Sequence, residues 1–168
     1  VEDCISNGKD YNCGGARYNT TYIQGVGLGS ITDMLTSIRY NIYDNKKLTW
    51  KELLEATESD FKGFEQVQHD LIYETPKYGN DDDYADQHAV SVFELYYDAV
   101  NGKPDSRGGI HRINMLPTTC HVYFGSVIGA TADGRNAFKP LSEGISPSQG
   151  ADSHGPTAVL KSASRIDH

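Results

Sequence analysis

Apolar residues recur at helical spacing through the middle of the chain and give way to glycine, proline and serine on either side. Met34, Leu35, Ile38 and Ile42 share one helical face after Ser30-Ile31-Thr32-Asp33, whose hydroxyl and carboxylate oxygens suit an N-cap, so the spacing predicts a helix from about Ser30 to Tyr43. Asp44 to Lys47 is a polar break. Thr49-Trp50-Lys51-Glu52 has the form of a capping box, Thr49 as N-cap and Glu52 at the third helical position, with Leu53, Leu54 and Phe61 on the buried side. After Gly63, the residues Phe64, Val67, Leu71 and Ile72 continue an amphipathic pattern that Pro76 ends. Asn80 to Asp83 precede Val90, Phe93, Leu95 and Tyr97, predicting a further helix to about Val100 whose acidic start suits the helix dipole.

The flanks read differently. "NCGGARYN" from Asn12 to Asn19 is loop-forming, as is "NGKPDSRGG" from Asn101 to Gly109. Ile110 to Gly125 turns to strand-like content with Ile113, Val122, Tyr123 and Phe124, the strongest strand signal in the sequence. Gly129 to Ser164 has the composition of a linker, yet it contains the apolar run Thr157 to Leu160.

A chain of 168 residues supports one domain with a modest core. Apolar residues make up 38% and mean hydropathy is −0.54, but 17 glycines bring the composition back to that of a loop-rich globular protein. A net charge of −8 without a basic stripe argues against nucleic acid as a partner. No apolar segment approaches the ~18 residues of a membrane span, and no secretory signal opens the chain, so the expectation is a cytoplasmic protein. Val1 in place of methionine, and an end just after an apolar run with no helix stop, suggest a piece of something longer.

Cys4, Cys13 and Cys120 are odd in number and widely spaced, which fits neither a disulfide framework nor paired zinc ligands; reduced thiols and no metal are expected. "QGVGLGSITDML" has the spacing G-x-G-x-G without a clear preceding strand, which favours close backbone packing over dinucleotide binding. Asp81, Asp82 and Asp83 read as helix capping and loop hydrogen bonds, since consecutive aspartates do not make a calcium loop. Cys120 and His121 on a strand would point to opposite faces, which excludes a direct thiol–imidazole dyad. In "HRINMLPTTCHVYFG", Pro117 interrupts the strand pattern and Thr118 and Thr119 set hydroxyls beside large apolar residues, an arrangement able to orient a small ligand. On the residues alone, a strand end with local threonine hydrogen bonds is the plainer reading.

Taken together, "KDYNCGGARYN", "YGNDDDYAD", "INMLPTTCHVYFGSVIGATADGR" and "PLSEGISPSQGADSHGPTAVLKSAS" resemble the glycyl radical enzymes of the pyruvate formate-lyase superfamily over nearly the whole chain. The resemblance implies an α/β fold, part of a ten-stranded barrel surrounded by helices, in an anaerobic enzyme that stores a radical on a backbone glycine. It also implies an S-adenosylmethionine and iron–sulfur activase as partner, a small-molecule substrate, and a parent that can be a homodimer. The radical passes to a cysteine, whose thiyl abstracts hydrogen from substrate. The family's R-V-x-G-Y glycine motif and G-C-V-E cysteine loop are both absent here, so the resemblance assigns no catalytic residue to this chain.

Residues 1–168 then read as an internal fragment of one such domain, lying between the cysteine loop and the glycine loop, inactive alone, with Gly129 to Ser164 ordered inside the barrel. Met115, Thr118, Thr119 and His121 are the substrate-binding candidates. The motifs look nearest to the amino-acid and polyol dehydratases, C–O lyases of small hydroxylated substrates such as 4-hydroxyproline. Formate C-acetyltransferase, choline trimethylamine-lyase and arylacetate decarboxylase stay open within the superfamily, and a non-catalytic binding module outside it.

Overall fold

The computed structural model describes residues 2–167. Two parallel strands, β1 (Thr20–Gln24) and β2 (Ile110–Asn114), pair in register from Thr20 with Ile110 to Gln24 with Asn114. Parallel neighbours need a long crossover, and here it holds α1 (Leu28–Ile38), α2 (Trp50–Glu58), α3 (Glu65–Tyr73) and α4 (Asp83–Val100). Strand β1 corrects the reading that no strand precedes the glycines of "QGVGLG": its five residues are too short for alternation to register, and Tyr22 and Ile23 are exposed. The turn before β2 is tied back to β1, where Thr21 Oγ1 donates to Asp105 at 2.8 Å and Arg107 donates to Thr21 Oγ1 at 2.7 Å.

Helix α1 starts two residues earlier than predicted, at Leu28 behind Gly27 in the left-handed region (φ 86°), and its last turn widens into a π-helical stretch, Arg39–Asp44. Ser30, Thr32 and Asp33 are therefore inside the helix and buried, not caps. The buried face is small and polar (Gly29, Ser30, Thr32, Asp33, Thr36, Ser37), whereas Leu35, expected inside, is exposed. The reason is the neighbours: α1 packs on α4, whose inward stripe is Ala85, Ala89 and Phe93, while Gly29 and Ser30 lie directly against the segment around Ser142 and Ser146, and short side chains let these backbones approach.

Apolar burial falls into two clusters. Leu28, Tyr78, Ala89, Phe93 and Ile166 form one, joined by Ile113, Met115 and Ile145. Leu53, Ala56, Phe61 and Leu71 form the other, with Ile38, Ile42, Phe64 and Val67 against them. The predicted capping box is present at α2, Thr49 Oγ1 accepting from Glu52 N while Glu52 accepts from Thr49 N. Leu54 (54% exposed), expected inside, and Leu95 (72%) lie outside both clusters because each sits off the helical stripe that faces the core, and Tyr97, though in line with Phe93, is exposed near the end of α4.

The strand predicted across Ile110 to Gly125 ends at Asn114. Asn114 Oδ1 takes Leu116 N–H at 2.8 Å, Pro117 supplies no donor, and Cys120–Gly125 forms a short helix, α5. Tertiary contact overrides the strand propensity of Val122, Tyr123 and Phe124, for Leu141 N–H bonds to His121 O at 3.2 Å and α5 lies along that segment.

The glycine- and proline-rich segment is ordered throughout and closes with α6 (Pro156–Ala163). Ser30 N donates to Ser142 Oγ at 2.9 Å and Ser142 N to Ser30 Oγ at 2.8 Å, a buried reciprocal pair. Asp60 receives Ala137 N–H, Gln68 donates to Gly134 O, and Tyr78 donates to Ile145 O. Gly29 explains the glycine spacing of "QGVGLG": a Cβ there would meet Ser146 O at 2.6 Å and Pro147 Cα at 2.9 Å. Gly29→Ala is therefore expected to destabilise the protein by about 1–3 kcal/mol, read as a lower urea midpoint. Gly129→Ala, with open space around it, is the control and should shift stability by no more than about 0.5 kcal/mol.

Candidate functional site

The Met115–His121 turn joins β2 to α5, and the segment Lys139–Ile145 braces it at both ends. Ile145 N donates to Met115 O at 3.2 Å, and Leu141 N donates to His121 O at 3.2 Å. Gly144, at φ 42°, lets the brace lie directly on the carbonyls of Met115 and Leu116, where any Cβ would collide. Gln24 at the end of β1 reaches across to donate to Leu116 O at 2.5 Å.

Within this frame Met115 is half-buried against the first apolar cluster. The Thr118 hydroxyl is buried and has no protein hydrogen-bond partner. Thr119 is exposed at the start of α5 and its side chain makes no capping bond. His121 is buried, its Nδ1 2.7 Å from Thr118 O and 3.6 Å from Glu143 Oε1. The structure thus brings all four candidates into one turn, and it leaves Thr118 as the turn's buried hydroxyl without a protein partner. An unpaired buried hydroxyl costs about 1–3 kcal/mol, a cost that a bound ligand's polar atom would offset. Glu143 escaped the sequence reading because it meets His121 only through the fold.

Cys120 and His121 are not on a strand; on α5 their side chains project about 100° apart. His121 faces inward onto Thr118 O and Cys120 faces out, so the two still form no dyad. Cys4 is half-buried and Cys13 and Cys120 are exposed, all three unpaired with one another. Among the described residues no group of three or more His, Cys, Asp or Glu is placed to hold a metal ion. Asp82 caps α4, accepting Tyr84 N–H at 2.8 Å, while Asp81 and Asp83 bind Arg165, and Lys161 adds a 2.8 Å contact to Asp81. These cations hold the Asp81 carboxyl below its ordinary range. Arg165 also meets the buried Asp86 at 3.1 Å, though burial keeps the Asp86 carboxyl above its ordinary value. No helix of the described residues is long and apolar enough to cross a membrane.

A cavity of about 810 Å³ is lined among others by Asp33, Lys77, Asp133, Ser148 and His154, and by none of the four candidates. Lys77, itself buried, donates to Asp133 O at 3.0 Å, and Asp33 accepts Tyr78 N–H at 2.9 Å. Burial pushes the Asp33 carboxyl up to about 7, against the opposing pull of Lys77 and of the Tyr78 N–H. A carboxyl raised in the folded state holds a proton that the unfolded chain releases between about pH 4 and 7. The stability it contributes is complete below about pH 4 and is lost as pH rises through 7. Asp33→Asn keeps an acceptor for Tyr78 and removes the titration, so its stability relative to the unsubstituted protein should rise between pH 5 and pH 8 in urea unfolding. A pH-independent difference would refute the assignment.

Comparison with known proteins converges on one family. The pyruvate formate lyase-like model matches residues 1–125. Hydroxyproline dehydratase from Clostridioides difficile, solved with trans-4-hydroxy-L-proline bound, is 55% identical and superposes with a TM-score of 0.96 over 100% of this chain and 21% of that one. The glycerol-bound B12-independent glycerol dehydratase from Clostridium butyricum is 42% identical with a TM-score of 0.92, covering 100% and 21%. A glycyl radical enzyme from Archaeoglobus fulgidus is 41% identical with a TM-score of 0.91, covering 99% and 21%. The chain spans about a fifth of the length of these relatives. With most of its residues matched by the family and its helices and two strands superposing on glycyl radical enzymes, the chain belongs to the pyruvate formate lyase-like family.

Proposed function

We propose that this chain is part of a glycyl radical dehydratase, a C–O lyase acting on a small hydroxylated substrate such as trans-4-hydroxy-L-proline, and that its Met115–His121 turn forms one wall of the substrate cavity. The observation that carries the reading is 55% identity across all 168 residues to a dehydratase of that substrate. The unpartnered Thr118 hydroxyl supports the placement of the wall, since a hydroxyl both donates and accepts and can pair with a hydroxyl, carboxylate or amine. Thr119 offers a second hydroxyl beside it, and the Met115 thioether an apolar surface that keeps water out.

None of the chain's 17 glycines stands in an R-V-x-G-Y motif, and none of its three cysteines in a G-C-V-E loop. The residues present therefore do not fit the radical centres, and the reading gives this chain binding and orientation only. In the proposal the radical starts the elimination by hydrogen abstraction elsewhere in the protein. Residues 1–168 are an internal piece of one domain between those two loops. A radical S-adenosylmethionine activase as partner, a homodimeric parent and a cytoplasmic setting belong to the same proposal and rest on family membership.

The test uses the full-length protein, activated anaerobically until its glycyl radical signal appears in electron paramagnetic resonance, and then given trans-4-hydroxy-L-proline or glycerol. Dehydration of one of them is expected, with Thr118→Val lowering kcat/KM by about tenfold or more. A strong radical signal with neither substrate dehydrated would sink the reading.

A further inference from the structure

We infer that His121 is a positioning residue for the substrate-facing turn, fixing Thr118 through its Nδ1–H and making no contact with substrate itself. The inference rests on the proposed role of Thr118. Both groups beside Nδ1, the Thr118 carbonyl and the Glu143 carboxylate, only accept hydrogen bonds, so Nδ1 carries the proton. At 2.7 Å the carbonyl takes the bond. At 3.6 Å Glu143 is too far for one, but its charge favours the proton on that nitrogen.

The rest of the turn shows why this bond matters. Met115 and His121 are pinned at the ends by backbone bonds from Ile145 and Leu141, and Leu116 by Gln24. In the middle, Pro117 has no N–H to give, and the Thr118 and Thr119 hydroxyls make no protein hydrogen bond. Val122 N–H holds the Thr119 carbonyl at 3.2 Å, and the carbonyl of Thr118 itself is held by the His121 ring. The ring is enclosed, with 7% of the side chain exposed, and is already committed to Thr118, which leaves it a holder of the turn. Hydrogen bonds weaken steeply off axis, so a bond that sets the place of Thr118 Oγ1 acts on binding without touching the ligand.

The experiment uses the full-length protein without activation, so that no radical is needed. Calorimetric Kd for trans-4-hydroxy-L-proline and crystal structures are compared for His121→Ala, His121→Gln, His121→Asn, Thr118→Val and the Thr118→Val/His121→Ala double variant. His121→Asn keeps a donor near the Nδ1 position and should bind within about threefold of the unsubstituted protein, whereas His121→Ala and His121→Gln, which lose or displace it, should weaken binding about tenfold. The double variant should bind no worse than Thr118→Val alone. Independent, additive losses would mean that His121 touches the ligand, and overturn the inference. So would a His121→Ala structure with Thr118 held within about 0.5 Å of its place. If Thr118→Val binds normally while Thr118 moves in His121→Ala, the substrate reading of Thr118 fails and the holding role of His121 stands. Should His121→Ala not fold, the contrast between the Asn and Gln variants decides.

Discussion

Ser30 and Ser142 each accept the other's backbone N–H within a buried contact, which joins the first helix of the chain to a segment 112 residues later. A buried backbone N–H must find an acceptor, and on α1 that requirement is met by an irregular segment with little apolar surface to offer in return. The segment is consequently held by hydrogen bonds, each worth about 0.5–1.5 kcal/mol net but costly to leave unmade. Small residues on α1 are the condition for this. A leucine at Ser30 would leave Ser142 N–H without its acceptor and set a bulky side chain in the contact, and a Cβ at Gly29 would push Ser146 and Pro147 away.

From that junction the constraint runs outward in both directions. Toward the N-terminal side of the segment, Ser142 fixes the Lys139–Ile145 brace, whose backbone N–H groups hold Met115 and His121. Toward its end, Asn80 donates to Ala151 O at 2.7 Å and Arg165 ties α6 to the start of α4 through Asp81, Asp83 and Asp86. The same segment therefore covers α1, locates the candidate turn and anchors the last helix.

Helices with ordinary amphipathic stripes and a local cap were legible in the sequence. α2 with its Thr49 and Glu52 box and α4 with Phe93 are of this kind, because cap and stripe are properties of neighbouring residues. α1 was placed but its inward face was misread, since small polar residues face inward wherever two backbones must approach, and no periodicity of apolar residues records that. β1 and α5 were missed for a related reason. Thr20 to Gln24 becomes a strand because Ile110 to Asn114 lies beside it, and Val122 to Phe124 leave the strand state because Leu141 and Gly144 hold the turn. The substrate-binding candidates emerged from a hydroxyl pair after a proline together with the family resemblance, while Glu143, Asp33 and Lys77 depend on partners far away in sequence.

Polar joints and small apolar clusters divide the work between them. The two clusters give the helices bulk attraction, which is non-directional and tolerates small displacements. Hydrogen bonds are directional and weaken steeply off axis, so a turn held by Ile145, Leu141, Gln24 and His121 is held in orientation as well as in place. If the turn is the substrate wall proposed above, a hydroxyl presented at a fixed angle is better served by the second kind of contact. Either way, a glycine-, serine- and proline-rich segment suits the task of holding the turn: the backbone N–H groups of Leu141 and Ile145, which bond His121 O and Met115 O, can reach it because Ser142 and Gly144 between them are small.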